Sequence, residues 1–193
     1  KRPIVVVAGP TASGKTGLGV QLCKRFDGEV ISADSMQIYK GMDIGTAKPT
    51  PEEMQGVPHH LIDFLDPSEP FSVADFVKLA DRAADDVLSR GHLPFMVGGT
   101  GLYIQSYIDH IVFADVPSND ELRRSLQEKA QRSGGQALLE ELAEFDPLTA
   151  QTLHPNNIGR IIRAIEIYRL SGVTMTEHRH NSRLQPSTLH PCM

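Results

Sequence analysis

The residues with the most specific spacing for chemistry are Gly9-Pro10-Thr11-Ala12-Ser13-Gly14-Lys15-Thr16, which match the phosphate-loop pattern G-x-x-x-x-G-K-[ST] at every fixed position. Glycines let successive backbone N–H groups converge on phosphate oxygens, a helix that follows adds positive potential at its amino terminus, and Lys15 supplies a movable charge. The Thr16 hydroxyl is the expected Mg²⁺ ligand. A nucleoside triphosphatase normally adds an acidic residue at the end of a neighbouring strand to hold the metal. Here Phe95-Met96-Val97 runs instead into Gly98-Gly99, with Asp34 and Asp63 as substitutes. That disfavours a motor or switch ATPase and leaves a small-molecule kinase open.

Asp34 follows a short predicted strand, Glu29-Val30-Ile31-Ser32, so its carboxylate can face the atom attached to a bound phosphate, where a general base is useful. An aspartate before serine is equally often a turn or cap residue, and the local pattern leaves both readings open. Arg160 and Arg163 are three apart on a predicted helix and share a face, with Ile158, Ile161, Ile162 and Ile165 on the apolar side. Such a pair is by itself most often a solvated surface. His59-His60 and His178-Arg179-His180 lack the carboxylate or thiolate spacing of a metal site.

These residues need an α/β frame. Ile4-Val5-Val6-Val7-Ala8 reads as a buried parallel strand ending at the loop, and an apolar helical pattern from Leu18 to Phe26 follows it. Pro94 to Val97 is a further buried strand, and His60 to Leu65 reads as a short one. Ser72 and Asp75 form a capping-box pattern before a helix that runs to about Gly91, and Leu102 to Ile108 is amphipathic. Tyr39 to Pro58, rich in Gly, Pro, Thr and Lys, reads as a long irregular loop of the kind that carries function. Past Val116 the strands stop. Three helices are expected there, Asn119–Ser133, Gln136–Phe145 and Asn157–Leu170, separated by Gly134-Gly135 and Asp146-Pro147. The expected organisation is a phosphate-loop α/β core with a parallel sheet flanked by helices (1–115), an inserted helical lobe (116–175) that partly returns to the core, and an irregular tail (176–193).

At 193 residues the chain suits one buried core with an appended lobe. Its net charge of −5 gives no global attraction to nucleic acid, so any RNA contact must rest on local basic clusters. No apolar run reaches membrane-spanning length and no secretory leader is visible, so a soluble cytoplasmic protein is expected. Cys23 and Cys192 are too few for a disulfide framework or a thiolate site.

Taken together, the phosphate loop, Asp34-Ser35-Met36-Gln37-Ile38-Tyr39-Lys40-Gly41-Met42-Asp43-Ile44-Gly45-Thr46-Ala47-Lys48-Pro49, Val57-Pro58-His59-His60-Leu61-Ile62-Asp63, Phe71 to Phe76, Gly98-Gly99-Thr100-Gly101-Leu102-Tyr103 and Leu153 to Glu166 resemble the tRNA dimethylallyltransferase family. The likeness runs to about Glu177. It implies transfer of a dimethylallyl group from its diphosphate to N6 of an adenine beside the anticodon of tRNA, releasing diphosphate. Asp34 becomes the base, Lys15 stabilises the leaving group, and Thr100 touches substrate between the two halves of the site; a threonine capping the next helix is the plainer reading of Thr100. The resemblance gives Gly9 to Thr16 and Arg163 to the diphosphate, with Mg²⁺ on Thr16. It gives Asp34, Ser35, Met36, Gln37, Thr100, Arg123, Gly159, Arg160, Ile161, Ile162 and Arg163 to tRNA. The target adenine must be turned out of its stack to reach the base, and Gln37 has the donor and acceptor suited to its edge. A monomer is implied. Family members run well beyond this length, with a further helical segment completing the tRNA channel. Three alternatives stay open: a cytokinin-forming adenylate isopentenyltransferase using free AMP, ADP or ATP, a small-molecule kinase, and a non-catalytic nucleotide-binding module. The His59-His60 and Leu153-to-Glu166 segments favour the tRNA enzyme.

Overall fold

A computed structural model describes residues 1–111, 116–183 and 189–193. The chain divides into two compact units. The first runs from Lys1 to Ile111 and regains the chain's end, and the second occupies the stretch between.

The first unit is built on a five-stranded, wholly parallel sheet of order β3-β2-β4-β1-β5, with β1 Arg2–Ala8, β2 Gly28–Ala33, β3 His59–His60, β4 Leu93–Gly98 and β5 Leu189–Cys192. Parallel strands need crossover connections, which here include the helices α1 Lys15–Phe26 and α3 Val73–Ser89. Between them, the one-turn helix α2 Pro51–Met54 interrupts the long loop after β2. The helix α4 Gly101–Ile108 follows β4. Ile4, Val6, Val30, Ile31, Phe95 and Met96 are all at most 5% exposed, as expected of a sheet covered on both faces. Val20 and Cys23 of α1 pack on Val30, Phe95 and Val97. Burial, and then the charge of Glu29, push the Cys23 thiol up to about 12.

Local chemistry fixes the boundaries. The Ser72 side chain accepts from Asp75 N while Asp75 accepts from Ser72 N, closing both halves of the expected capping box of α3. A second box, Thr50 with Glu53 and Pro51 at the first turn, nucleates α2 inside the stretch expected to be irregular. The strand expected from His60 to Leu65 stops at His60. Leu61 and Asp63 have φ of 57° and 53°, a left-handed backbone that cannot continue a strand.

The described part of the second unit is helical: α5 Asp120–Phe145, α6 Pro147–Thr152, α7 Ile158–Ser171 and α8 Met175–Arg183. Gly134, at φ 79° and ψ 163°, breaks α5 where two helices were expected, in a region that only glycine occupies readily. Leu126, Leu138, Leu142, Ile161 and Ile165 form this unit's core. The tail from 176 was expected to be irregular, and this is corrected for its described residues, which form most of α8 and all of β5. Asp146 accepts from Thr176 N and Thr149 N and so caps α8 and α6 together, while β5 pairs with β1. The expected boundary at 115 falls among residues 112–115, outside the described residues.

An ion cluster centred on the buried Glu29 joins the end of α3 to the sheet. Glu29, 3% exposed, accepts from Arg90 Nη1 and Nη2 and lies 2.6 Å from His60 Nε2. The Arg90 bonds, helped by His60 and opposed by burial, lower its pKa to about 2. A carboxylate depressed from 4.5 stabilises the fold above pH 4.5 and loses that contribution as pH falls toward 2. Urea unfolding between pH 5 and pH 2 should therefore show roughly 3 kcal/mol more loss for the wild type than for Glu29→Gln.

Candidate active site

The phosphate loop links β1 to α1 as the sequence requires. Gly14 caps α1 at φ 81° and Ala12 lies at φ 63°, so the backbone coils between the strand and the first helical turn. Across the loop, Lys15 Nζ donates to the Pro10 carbonyl at 2.7 Å. Gly9 N donates to Gly98 O, tying the loop to the end of β4.

A pocket opens beside this loop. Thr11, Ala12, Lys15 and Thr16 form one side; Asp34, Gln37 and Ser32 follow from β2; Thr46, Ala47, Pro49, His59 and Ile62 come from the segments after it, with Val30, Val97 and Gly98 from the sheet. The phosphate loop and Asp34, found separately in the sequence, therefore share one cavity at the carboxyl edge of a parallel sheet. Asp34 Oδ1 accepts from Met36 N at 2.9 Å and Gln37 N at 3.2 Å. Asp34 is thus a turn residue as well as a pocket residue, and among the described residues its hydrogen bonds all go to Oδ1 and none to Oδ2.

Thr100 does not cap α4 with its side chain. Its Oγ1 accepts from Ser35 N at 3.0 Å, while its own N donates to Ala33 O at 3.1 Å. The resemblance placed Thr100 between two halves of a site; here it stitches the ends of β4 and β2 on either side of Asp34. The Gln37 side-chain amide donates to the Thr46 and Ala47 carbonyls, so its donor is engaged and its oxygen is the polar group left available. Met36 is 44% exposed.

Two residues that the sequence reading did not place at the pocket stand there: His59 lines it, and Lys48 lies between the lining residues Ala47 and Pro49. Lys48, with a side chain only 6% exposed, donates to Asp43, Asp63 and the Tyr39 carbonyl. Burial works against its charge, but the bonds to Asp43 and Asp63 outweigh it and raise its pKa. Asp63, once a candidate metal ligand, is held below the usual carboxylate range by Lys48. His59 bonds the Val57 carbonyl through Nδ1 at 2.8 Å, and burial lowers its pKa. A signal for Lys48 was present in the length of its loop. For His59 no spacing pointed to the pocket.

In the second unit, Arg123 and Arg163 converge on Glu166. This carboxylate, fully buried, accepts from Arg123 Nε at 2.8 Å and Nη2 at 2.9 Å, from Arg163 Nη1 at 2.6 Å and from Asn119 N at 2.7 Å. Gly159 and Arg160 are exposed on the first turn of α7. The Ile161 and Ile162 side chains, on the apolar side of the helix as their spacing predicts, are 0% and 6% exposed and belong to the core.

The family model described as IPP transferase matches residues 37–192, and a second, described as isopentenyl transferase, matches residues 3–65. The chain belongs to the IPP transferase family. It is 52% identical to the tRNA dimethylallyltransferase of Geobacillus thermodenitrificans over 182 residues, 94% of this chain and 58% of that protein. It is likewise 52% identical to the Bacillus subtilis protein of the same name, over 92% of this chain and 57% of the relative. The chain therefore spans somewhat under three-fifths of the length of these curated relatives. Among solved structures, the tRNA isopentenylpyrophosphate transferase of Bacillus halodurans matches at 53% identity and TM-score 0.59, covering 89% of this chain and 57% of that one. A eukaryotic dimethylallyltransferase acting on tRNA matches at 31% identity and TM-score 0.83, covering 99% of this chain and 48% of that one.

In this IPP transferase chain the Thr100 hydroxyl is the acceptor that Ser35 N needs. Thr100→Val keeps the shape and removes the acceptor, so urea unfolding should show a loss of about 1–3 kcal/mol, while Thr100→Ser should retain most of the stability.

Proposed function

We propose that this chain transfers a dimethylallyl group from dimethylallyl diphosphate to N6 of an adenine next to the anticodon in tRNA. The observation that carries this is the shared pocket of the phosphate loop and Asp34. The loop amides and Lys15 hold the diphosphate. N6 attacks the allylic carbon, the C–O bond to diphosphate breaks with its electron pair leaving on oxygen, and the N6 proton passes to Asp34 Oδ2. Asp34 Oδ1, fixed by two backbone N–H groups, sets the direction of that oxygen. The fixed donors of the loop meet the growing negative charge without reorganising.

Mg²⁺ fits the residues present. Among the described residues no cluster of three His, Cys, Asp or Glu forms a protein cage. Mg²⁺ commonly keeps waters and binds substrate phosphates with few protein ligands, and the Thr16 hydroxyl in the pocket suits that role. When bound, the ion offsets charge on the leaving diphosphate. On this reading tRNA and dimethylallyl diphosphate are the partners, and the enzyme acts as a cytoplasmic monomer. The described residues include no helix long and apolar enough to cross a membrane.

The test incubates the chain, Mg²⁺ and radiolabelled dimethylallyl diphosphate separately with unmodified tRNA, AMP and ATP. Label in tRNA alone is expected, and label only in free nucleotide would assign the chain to the cytokinin-forming class. Asp34→Ala should lower the transfer rate by about 10²–10⁴-fold while pyrophosphate still binds, and an unchanged rate would remove Asp34 as the base. Lys15→Ala should instead weaken pyrophosphate binding itself, read by calorimetry.

A further inference from the structure

We infer that Lys48 is a positioning residue that sets the shape of the apolar part of the pocket and so its selectivity for a short, branched allylic chain. The inference rests on the transferase reading above for the identity of that chain. Lys48 does not line the pocket. Its sequence neighbours Ala47 and Pro49 do, and so does Ile62, the neighbour of its partner Asp63. The bond from Lys48 Nζ to Asp63, 2.6 Å long, therefore ties two walls of the cavity together from behind. Further bonds from the same ammonium to Asp43 and the Tyr39 carbonyl fasten the segment that carries Ala47 and Pro49 at its base.

The backbone shows why such a clamp is needed. Ala47, Leu61 and Asp63 lie at φ of 50°, 57° and 53°. None is glycine, and each carries the steric cost of a left-handed backbone. Three such residues at two facing segments hold their geometry only when surrounding bonds over-determine it. The buried ammonium, with its three acceptors in place, supplies that restraint to both segments at once. The phosphate loop stands outside the clamp, so loss of Lys48 should affect the chain attached to the diphosphate and spare the diphosphate itself.

Calorimetry of pyrophosphate, dimethylallyl diphosphate and the longer geranyl diphosphate, each with Mg²⁺, tests this on wild type, Lys48→Met and Asp63→Ala. Wild type should bind dimethylallyl diphosphate more tightly than either of the others. In both variants the preference over geranyl diphosphate should fall by about tenfold, with pyrophosphate affinity within about twofold of wild type. Amide hydrogen exchange across residues 44–49 and 61–63 should accelerate in the variants, while exchange in β1 and β4 stays slow. An unchanged preference would overturn the inference, as would pyrophosphate affinity falling in parallel, or a wild type that does not discriminate between chain lengths. Because these readouts are binding and exchange, failure of the transfer assay with tRNA would count against the transferase reading alone.

Discussion

Two hydrogen bonds join the segments that leave the carboxyl ends of β2 and β4, and they fix the backbone on both sides of Asp34. Thr100 N donates to Ala33 O, and Ser35 N donates to Thr100 Oγ1. Asp34 lies between Ala33 and Ser35, so its backbone is held on both sides by Thr100, two residues past the end of β4. The approach is close: a Cβ on Gly98 would stand 2.2 Å from the Ala33 carbonyl oxygen. Only glycine allows β4 to end there, and the same Gly98 carbonyl receives the first amide of the phosphate loop. The sheet thus brings a phosphate cradle and a carboxylate together through backbone contacts that no larger residue would permit.

The charged groups divide into those that face the pocket and those that hold its frame. Glu29, Lys48 and Glu166 are each buried among opposite charges with their hydrogen-bonding capacity largely filled. Removing one partner from such a group leaves an uncompensated charge, which is why these positions constrain structure strongly without touching substrate. Arg123 and Arg163 share this character through Glu166, although each keeps more than a third of its side chain exposed to solvent.

Asp34 shows how one residue can satisfy two readings of its sequence. As a turn residue it accepts two amides through Oδ1; as a pocket residue it keeps a second oxygen free of such bonds among the described residues. Thr100 resolves differently, because the hydroxyl that would have capped α4 is taken by Ser35.

The sequence by itself determined the phosphate loop, the strands before and after it, the capped α3 and the glycine break in α5, because each depends on neighbours within a few residues of one another. It also marked Asp34 and Lys15, whose chemistry is legible from residue type and position. Tertiary structure decided the rest. The strand expected after His60 ended because two left-handed residues are held in place by contacts with other segments, and the tail became helix and strand only because Asp146 and β1 offered it partners. The hydrogen-bond partners of Lys48 and Glu29 lie from 5 to 61 residues away in sequence, and only the fold brings them within 3 Å.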